Sequence, residues 1–177
     1  MAKKKWGQHF LKSKSIAESI VKAADVKYGD HILEIGPGYG MLTHALLNFK
    51  TTVTAIEIDP ELCVKLRKKF EKEKNFTLLE NDVMKIENNE FEKLIKLPAK
   101  LVANLPYNIA TGLLLKLLPV RNTWDSFTVM VQLEVGERLC AIPDSGKIYG
   151  PLSLAGTLGF EKKIVKIISP DCFFPSP

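Results

Sequence analysis

The chain has 177 residues, 46% of them apolar and 25% charged, which suits one soluble globular domain with a substantial core. Its three cysteines, Cys63, Cys140 and Cys172, are widely spaced and form no CxxC pair, which argues against a disulfide framework or a zinc site and for a reducing cytoplasmic compartment. No apolar run is long enough to cross a membrane, no secretory h-region follows the Lys-rich start, and a net charge of +5 is compatible with a polyanionic partner without establishing one.

Met1 to Lys5 read as a basic arm, set within an N-terminal stretch of residues 1–14. A helix is expected from about Ser15 to Ala24, with Ile16, Ile20, Val21 and Ala24 on one face. His31 to Ile35 is a strand, followed by a glycine-rich turn and a helix through Leu42 to Leu47. Thr52 to Ile56 is a second strand, and Pro60 opens a helix running to about Phe70. Phe76 to Leu79 and Leu101 to Ala103 are further strands, then Ala110 to Leu118 a helix. Phe127 to Val131 is a fifth strand and Leu133 to Cys140 a helix. Asp144 to Lys147 reads as a loop. Leu152 to Leu158 and Lys163 to Ile168 are the last strand candidates, close enough for an antiparallel edge hairpin. The alternation predicts an α/β domain over 15–177, with a mostly parallel sheet of seven strands and helices on both faces.

Asn104-Leu105-Pro106-Tyr107 follows the Leu101–Ala103 strand and carries the chemistry. The Asn side-chain oxygen and the next backbone carbonyl can each accept an N–H from a planar amine. Pro106 stiffens the turn and Tyr107 offers a ring face for stacking. An exocyclic base amine is a poor nucleophile because its lone pair is delocalised into the ring. Two acceptors on its hydrogens favour the pyramidal, more nucleophilic form, without a strong general base.

Glu34-Ile35-Gly36-Pro37-Gly38-Tyr39-Gly40 supplies the ligand turn at a strand's carboxyl end. Met41 stands where a dinucleotide fingerprint needs its third glycine, and no Gly-Lys-Ser/Thr phosphate loop follows. A nicotinamide dehydrogenase is disfavoured by that spacing. Glu57 ends the second strand about twenty residues on, where an acid can take both ribose hydroxyls, with Ile58 beside it. Asp82 follows the third strand and can accept from an adenine amine, with Val83 against the ring. Ribose and adenine without a phosphate loop suggest S-adenosylmethionine, whose activated methyl needs alignment more than covalent catalysis.

Gln8-His9-Phe10-Leu11, Glu34 to Gly38, Glu57-Ile58-Asp59, Asn81-Asp82, Asn104 to Asn108 and Phe173-Phe174-Pro175-Ser176-Pro177 occur in the order of the ribosomal RNA adenine dimethyltransferases. Tyr149-Gly150-Pro151-Leu152-Ser153 resembles the KsgA branch, which acts on the small subunit. The resemblance covers essentially the whole chain. It implies a Rossmann-like S-adenosylmethionine-dependent methyltransferase fold and dimethylation of the exocyclic amines of two adjacent adenosines near the 3′ end of small-subunit rRNA, during ribosome biogenesis. It implies cofactor contacts at Gln8, His9, Leu11, Gly36, Gly38, Glu57, Ile58, Asp82, Val83 and Asn104. Tyr107 and Phe173 would hold the flipped adenine, and Lys3 to Lys5 would lie near RNA phosphates. The partner implied is small-subunit rRNA or the pre-assembled subunit, met by a monomer with no metal and no membrane.

Two features depart from that family. His9 stands where Asn is more frequent, and an imidazole can still donate a hydrogen bond. The chain stops at the Phe-x-Pro-x-Pro motif, before the family's small C-terminal helical domain, so cofactor binding is expected to survive better than RNA methylation. The rival readings are a large-subunit (23S-type) adenine methylase conferring macrolide resistance and a non-catalytic ribosome-assembly factor that binds RNA. His31, His44, Trp6 and Leu113 to Leu115 read as structural, and Lys65 to Lys74 as a solvated helix face.

Overall fold

The computed structural model describes residues 7–119, 124–157 and 160–177. Lys3 to Lys5 and Trp6 lie outside the described residues. The strands are β1 (Phe10–Leu11), β2 (His31–Ile35), β3 (Thr52–Glu57), β4 (Phe76–Glu80), β5 (Ala99–Asn104), β6 (Trp124–Met130) and β7 (Phe173–Phe174). The helices are α1 (Lys14–Ala23), α2 (Met41–Leu47), α3 (Pro60–Lys69), α4 (Phe91–Leu94), α5 (Ala110–Leu117), α6 (Leu133–Cys140) and α7 (Pro151–Thr157).

Five strands form one parallel sheet in the order β4-β3-β2-β5-β6. β2, β3 and β5 are buried along most of their length, as parallel strands covered on both faces must be. Side-chain alternation divides them between two cores. Leu33, Ile35, Leu101 and Ala103 face α5 through Leu113, Leu114 and Leu117. Ile32, Val53 and Val102 face α1 and α2 through Ala17, Val21, Leu42 and Leu46. Local signals start the helices. The Ser13 hydroxyl accepts from the Ile16 N–H at 3.3 Å at the head of α1. Asp59 does the same for Glu61 at 3.0 Å, with Pro60 in the first turn of α3.

Seven strands are found among the described residues, the number expected, but they fall in separate sheets of five and two, and the expected edge hairpin is not among them. The segment expected as a strand over Leu152–Leu158 is helix α7 as far as Thr157. Pro151 opens it, Leu152 and Gly156 are buried on one helical face, and the Ser153 hydroxyl accepts from the Gly150 N–H at 3.1 Å. Gly156 also lets α6 approach, since a Cβ there would lie 2.9 Å from Leu139 Cδ1. Lys163–Ile168 takes no ladder partner among the described residues. The antiparallel pair is instead β1 with β7, where Phe10 faces Phe174 and Leu11 faces Phe173. Residues 10–11 of the N-terminal stretch are thus tied to residues 173–174.

Gly40 heads α2 with φ +73°, and a Cβ there would sit 2.6 Å from Cε2 of the buried Phe70 ring. A left-handed conformation and an overfilled core act together at this position. Gly40→Ala is expected to lower stability by about 2–4 kcal/mol in urea unfolding. A loss under about 1 kcal/mol would show that the turn relaxes freely.

Candidate functional site

The strand order reverses between β2 and β5, and open α/β sheets bind ligands at the carboxyl ends beside such a reversal. A cavity of about 200 Å³ lies there, walled by the segments that follow β2, β3, β4 and β5 and by residues 7–11. The glycines shape it. A Cβ on Gly36 would touch Pro106 Cγ at 3.2 Å, closing the β2 turn onto the Asn104–Tyr107 loop. Gly38 has φ +59°, and a Cβ on it would meet the Phe10 ring at 2.7 Å. A side chain at either of these two glycines would collide with the wall opposite it.

Glu57 is buried at the end of β3. Its Oε1 accepts the Ile58 and Asp59 N–H groups, each at 3.0 Å, and its Oε2 accepts the Gly38 N–H at 3.3 Å. A carboxylate has about four acceptor positions, so one is open to a ligand hydroxyl. A second hydroxyl would need the long Gly38 bond to give way. Burial pushes the Glu57 carboxyl above its ordinary value, against those three N–H bonds.

Asp82 is half-buried in the turn after β4. Its Oδ1 accepts the Met84 N–H at 3.0 Å, and its own N–H is held by Asn81 Oδ1 at 2.8 Å. That geometry holds the carboxylate in place while Oδ2 stays free to accept. Buried Val83 and half-exposed Ile58 give the same wall apolar surface.

On the other side stands Asn104. Its Nδ2 donates to the backbone oxygen of His9 at 2.9 Å. Since only the amide nitrogen can face that carbonyl, Oδ1 is left as the acceptor. The Leu105 N–H donates to Met130 O at 3.1 Å, which fixes the loop to β6, and the Leu105 side chain is buried. Pro106 O accepts from Ile109 and Ala110 at 3.2 and 3.1 Å, turning the chain directly into α5.

His9 has a second contact that its backbone does not reveal. Its ring stacks on Tyr107, centroids 4.6 Å apart and planes 27° from parallel, while Nδ1 donates to Pro175 O at 2.9 Å. Burial raises the Tyr107 hydroxyl pKa. Phe173, expected as the second aromatic wall, does not border the cavity. Strand alternation against Leu11 turns it into the core at 7% exposure, while Phe174 points outward at 63%. The ring that faces Tyr107 is therefore His9. Leu11 is buried at the cavity floor, and Gln8 Nε2 lies 3.5 Å from Asp59 Oδ2 at its rim.

Three contributors went unread in the sequence as site residues. Glu34 lines the cavity at 1% exposure and accepts the Thr43 hydroxyl at 2.6 Å. Burial pushes its carboxyl up to about 8 against that bond, and the Glu57 carboxylate adds to the shift. Phe10 stacks obliquely on Tyr39 at 4.5 Å, forming the lip over Gly38. Lys69 stays on the exposed face read over Lys65–Lys74, but its Nζ reaches back to donate to Tyr39 O at 2.7 Å and Gly40 O at 3.3 Å. Glu34 stood in the glycine motif, but nothing in its spacing announced burial. Among the described residues no group of three or more His, Cys, Asp or Glu could hold a metal, and no helix is long and apolar enough to cross a membrane.

Glu34 binds its proton more tightly folded than unfolded, so its contribution to stability falls as pH rises from 4.5 toward 8. Gln at this position keeps an acceptor for Thr43 and cannot ionise. Glu34→Gln should therefore gain on the parent as pH climbs through that window, by an amount on the order of a few kcal/mol. Urea unfolding at pH 5, 6.5 and 8 checks this, and parallel pH profiles would remove Glu34 as an ionising group.

The family model described as ribosomal RNA adenine dimethylase matches residues 1–177. A curated relative, ribosomal RNA small subunit methyltransferase A of Clostridium acetobutylicum, is 40% identical over 176 residues, covering 98% of this chain and 62% of that protein. The chain thus spans 62% of the length of this relative. Among solved structures, a dimethyladenosine transferase from Plasmodium falciparum matches with TM-score 0.80 and 30% identity, over 96% of this chain and 59% of that one. The 23S rRNA methyltransferase ErmE matches with TM-score 0.79 and 27% identity, over 95% and 65%. The fold is accordingly the Rossmann-like methyltransferase fold, and the chain belongs to the ribosomal RNA adenine dimethylase family.

Proposed function

We propose that this chain binds S-adenosylmethionine and dimethylates the exocyclic amines of two adjacent adenosines near the 3′ end of small-subunit rRNA, acting in the cytoplasm as a monomer on the rRNA or the pre-assembled subunit. The observation that carries the reading is the oriented Asn104 amide, whose nitrogen is committed to His9 and whose oxygen is left to accept, at the edge of a cavity lined by Glu57 and Asp82. The domain 15–177 would hold both ligands, with residues 1–14 as the arm beside them. The similarity to the small-subunit methyltransferase of Clostridium acetobutylicum favours the small subunit, whereas ErmE is a 23S rRNA methyltransferase.

The residues present fit the cofactor. Glu57 has an open acceptor position for a ribose hydroxyl, Asp82 Oδ2 can take an adenine N–H, and Val83 backs the ring. Gly36 leaves the space beside Pro106 clear, and Gly38 the space beside the Phe10 ring. S-adenosylmethionine, when bound, supplies an electrophilic methyl group on a sulfonium.

Asn104 Oδ1 and the Leu105 carbonyl would accept the two hydrogens of the target amine and favour its pyramidal form. The lone pair would then be localised on nitrogen, ready to form the N–C bond as the methyl–sulfur bond breaks, and the surplus proton would pass to water. After one methylation a single N–H remains, which one acceptor still holds, so the same grip serves the second round. The target base must leave its stack to reach this depth. It would lie on Tyr107 where the His9 ring now lies, an exchange of one planar ring for another. Holding donor and acceptor aligned supplies most of the rate.

Asn104→Ala in the intact protein is expected to lower methyl transfer to unmodified small subunits by at least about 10²-fold. Binding of S-adenosylhomocysteine, read by calorimetry, should stay within several-fold of the parent. Near-normal turnover would overturn the amine grip. Modification mapped only to the large subunit would move the substrate to 23S rRNA, and a well-folded parent that binds no cofactor would favour the non-catalytic reading.

A further inference from the structure

Lys116 on α5 spends its ammonium on backbone carbonyls. Its Nζ donates to Met84 O at 2.9 Å, to Val83 O at 3.5 Å and to Ile86 O. Among the described residues it forms no ion pair, so all three of its donors serve this one turn. The contact is reciprocal, because Asn88 Nδ2 donates to Lys116 O at 3.3 Å. One helical turn and a fraction earlier, Gly112 leaves room for the loop, since a Cβ there would lie 3.4 Å from Met84 Cε.

The gripped turn is the one that presents Asp82 and Val83 to the cavity. Its internal ties are short-range: Asp82 holds Met84, and the Lys85 N–H returns to Asp82 O at 2.9 Å. Its place is held at the head by the Asn81 N–H, which donates to Glu57 O at 3.0 Å, and by Val83 and Ile86 in the core, and Lys116 adds a hold on the carbonyls between them. Helix α5 is itself anchored by Leu113, Leu114 and Leu117 in the core, and it begins directly after the Asn104–Tyr107 loop.

We propose that Lys116 is a positioning residue that fixes the aim of Asp82 and thereby the selectivity for an adenine base, while tying that aim to the helix behind the amine grip. The inference rests on the reading that Asp82 meets the cofactor's adenine. A lysine suits the task because a compact ammonium with three donors can hold three carbonyls of one turn together. A methionine keeps the apolar stem and packing but cannot donate.

The test is calorimetric titration of the intact protein with S-adenosylhomocysteine and with S-inosylhomocysteine, which lacks the exocyclic amine. The parent should prefer the adenosyl compound by at least about tenfold, the scale of a hydrogen bond to a charged group. Lys116→Met should weaken adenosyl binding about tenfold and bring the two affinities within about threefold of each other, and Lys116→Arg should restore part of the preference. Asn88→Ala, which removes the reciprocal bond, should shift the ratio the same way by less, and it stands in if the methionine variant does not fold. An unchanged preference in a folded variant, even with a lowered melting temperature, would reduce Lys116 to a structural tie and overturn the proposal. A parent that binds neither compound would instead overturn the cofactor reading beneath it.

Discussion

The parallel pairing of β2 with β5 is the constraint on which the site depends. Ile32 and Leu33 lie beside Lys100 and Leu101, so the two central strands run out at the same edge of the sheet. The glycine turn and the Asn104 loop then meet across the reversal, close enough that a single added Cβ would touch Pro106. β3 and β4 extend the edge in register, with Glu57 level with Glu80. A slip of one residue in any of these strands would send an acid or the amide to the wrong face. The apolar alternation that builds two cores from Ile32 and Leu33 is therefore also what aims the polar groups.

The second organising element is the strap made by the two chain ends. β1 and β7 form only two register pairs, yet they place residues 7–11 over the crevice and bring Pro175 within reach of His9. Asn104 depends on this strap, because the carbonyl that orients its amide belongs to His9. The strap also carries the ring stacked on Tyr107. One short segment thus orients the Asn104 amide and covers the Tyr107 ring face. A flipped base would gain Tyr107 only by exchanging with the imidazole, while the backbone bond to Asn104 can persist.

Much of this was legible because it is local. A strand followed by a glycine turn, and later strands that end at Glu57 and Asn104 or two residues before Asp82, are patterns a few residues long, and periodicity finds them. What failed was long-range. Phe173 looks like an aromatic wall until it pairs with Leu11, at the opposite end of the chain, and alternation turns it inward. The Pro151–Thr157 segment carries enough apolar residues to read as a strand, but its buried pair Leu152 and Gly156 is spaced for a helix packed on α6. Lys116 carries no local sign at all, since its partners are carbonyls contributed by another loop.

Charge separates the ligands this cavity can accept. Glu34 and Glu57 are both buried at its wall, and burial raises both carboxyls. An ionised, desolvated carboxylate repels a pyrophosphate, and Glu34, pushed up to about 8, adds to that repulsion only as the pH rises toward that value. A ligand that brings hydroxyls and a positive charge does the opposite: it hydrogen-bonds the carboxylate and offsets its charge where water cannot. The missing third glycine of a dinucleotide turn and the two buried acids therefore point the same way by independent routes, one steric and one electrostatic. Three of the chain's 20 acidic residues, Glu34, Glu57 and Asp82, line this cavity and, among the described residues, no Lys or Arg does, so its wall is acidic in a chain of net charge +5.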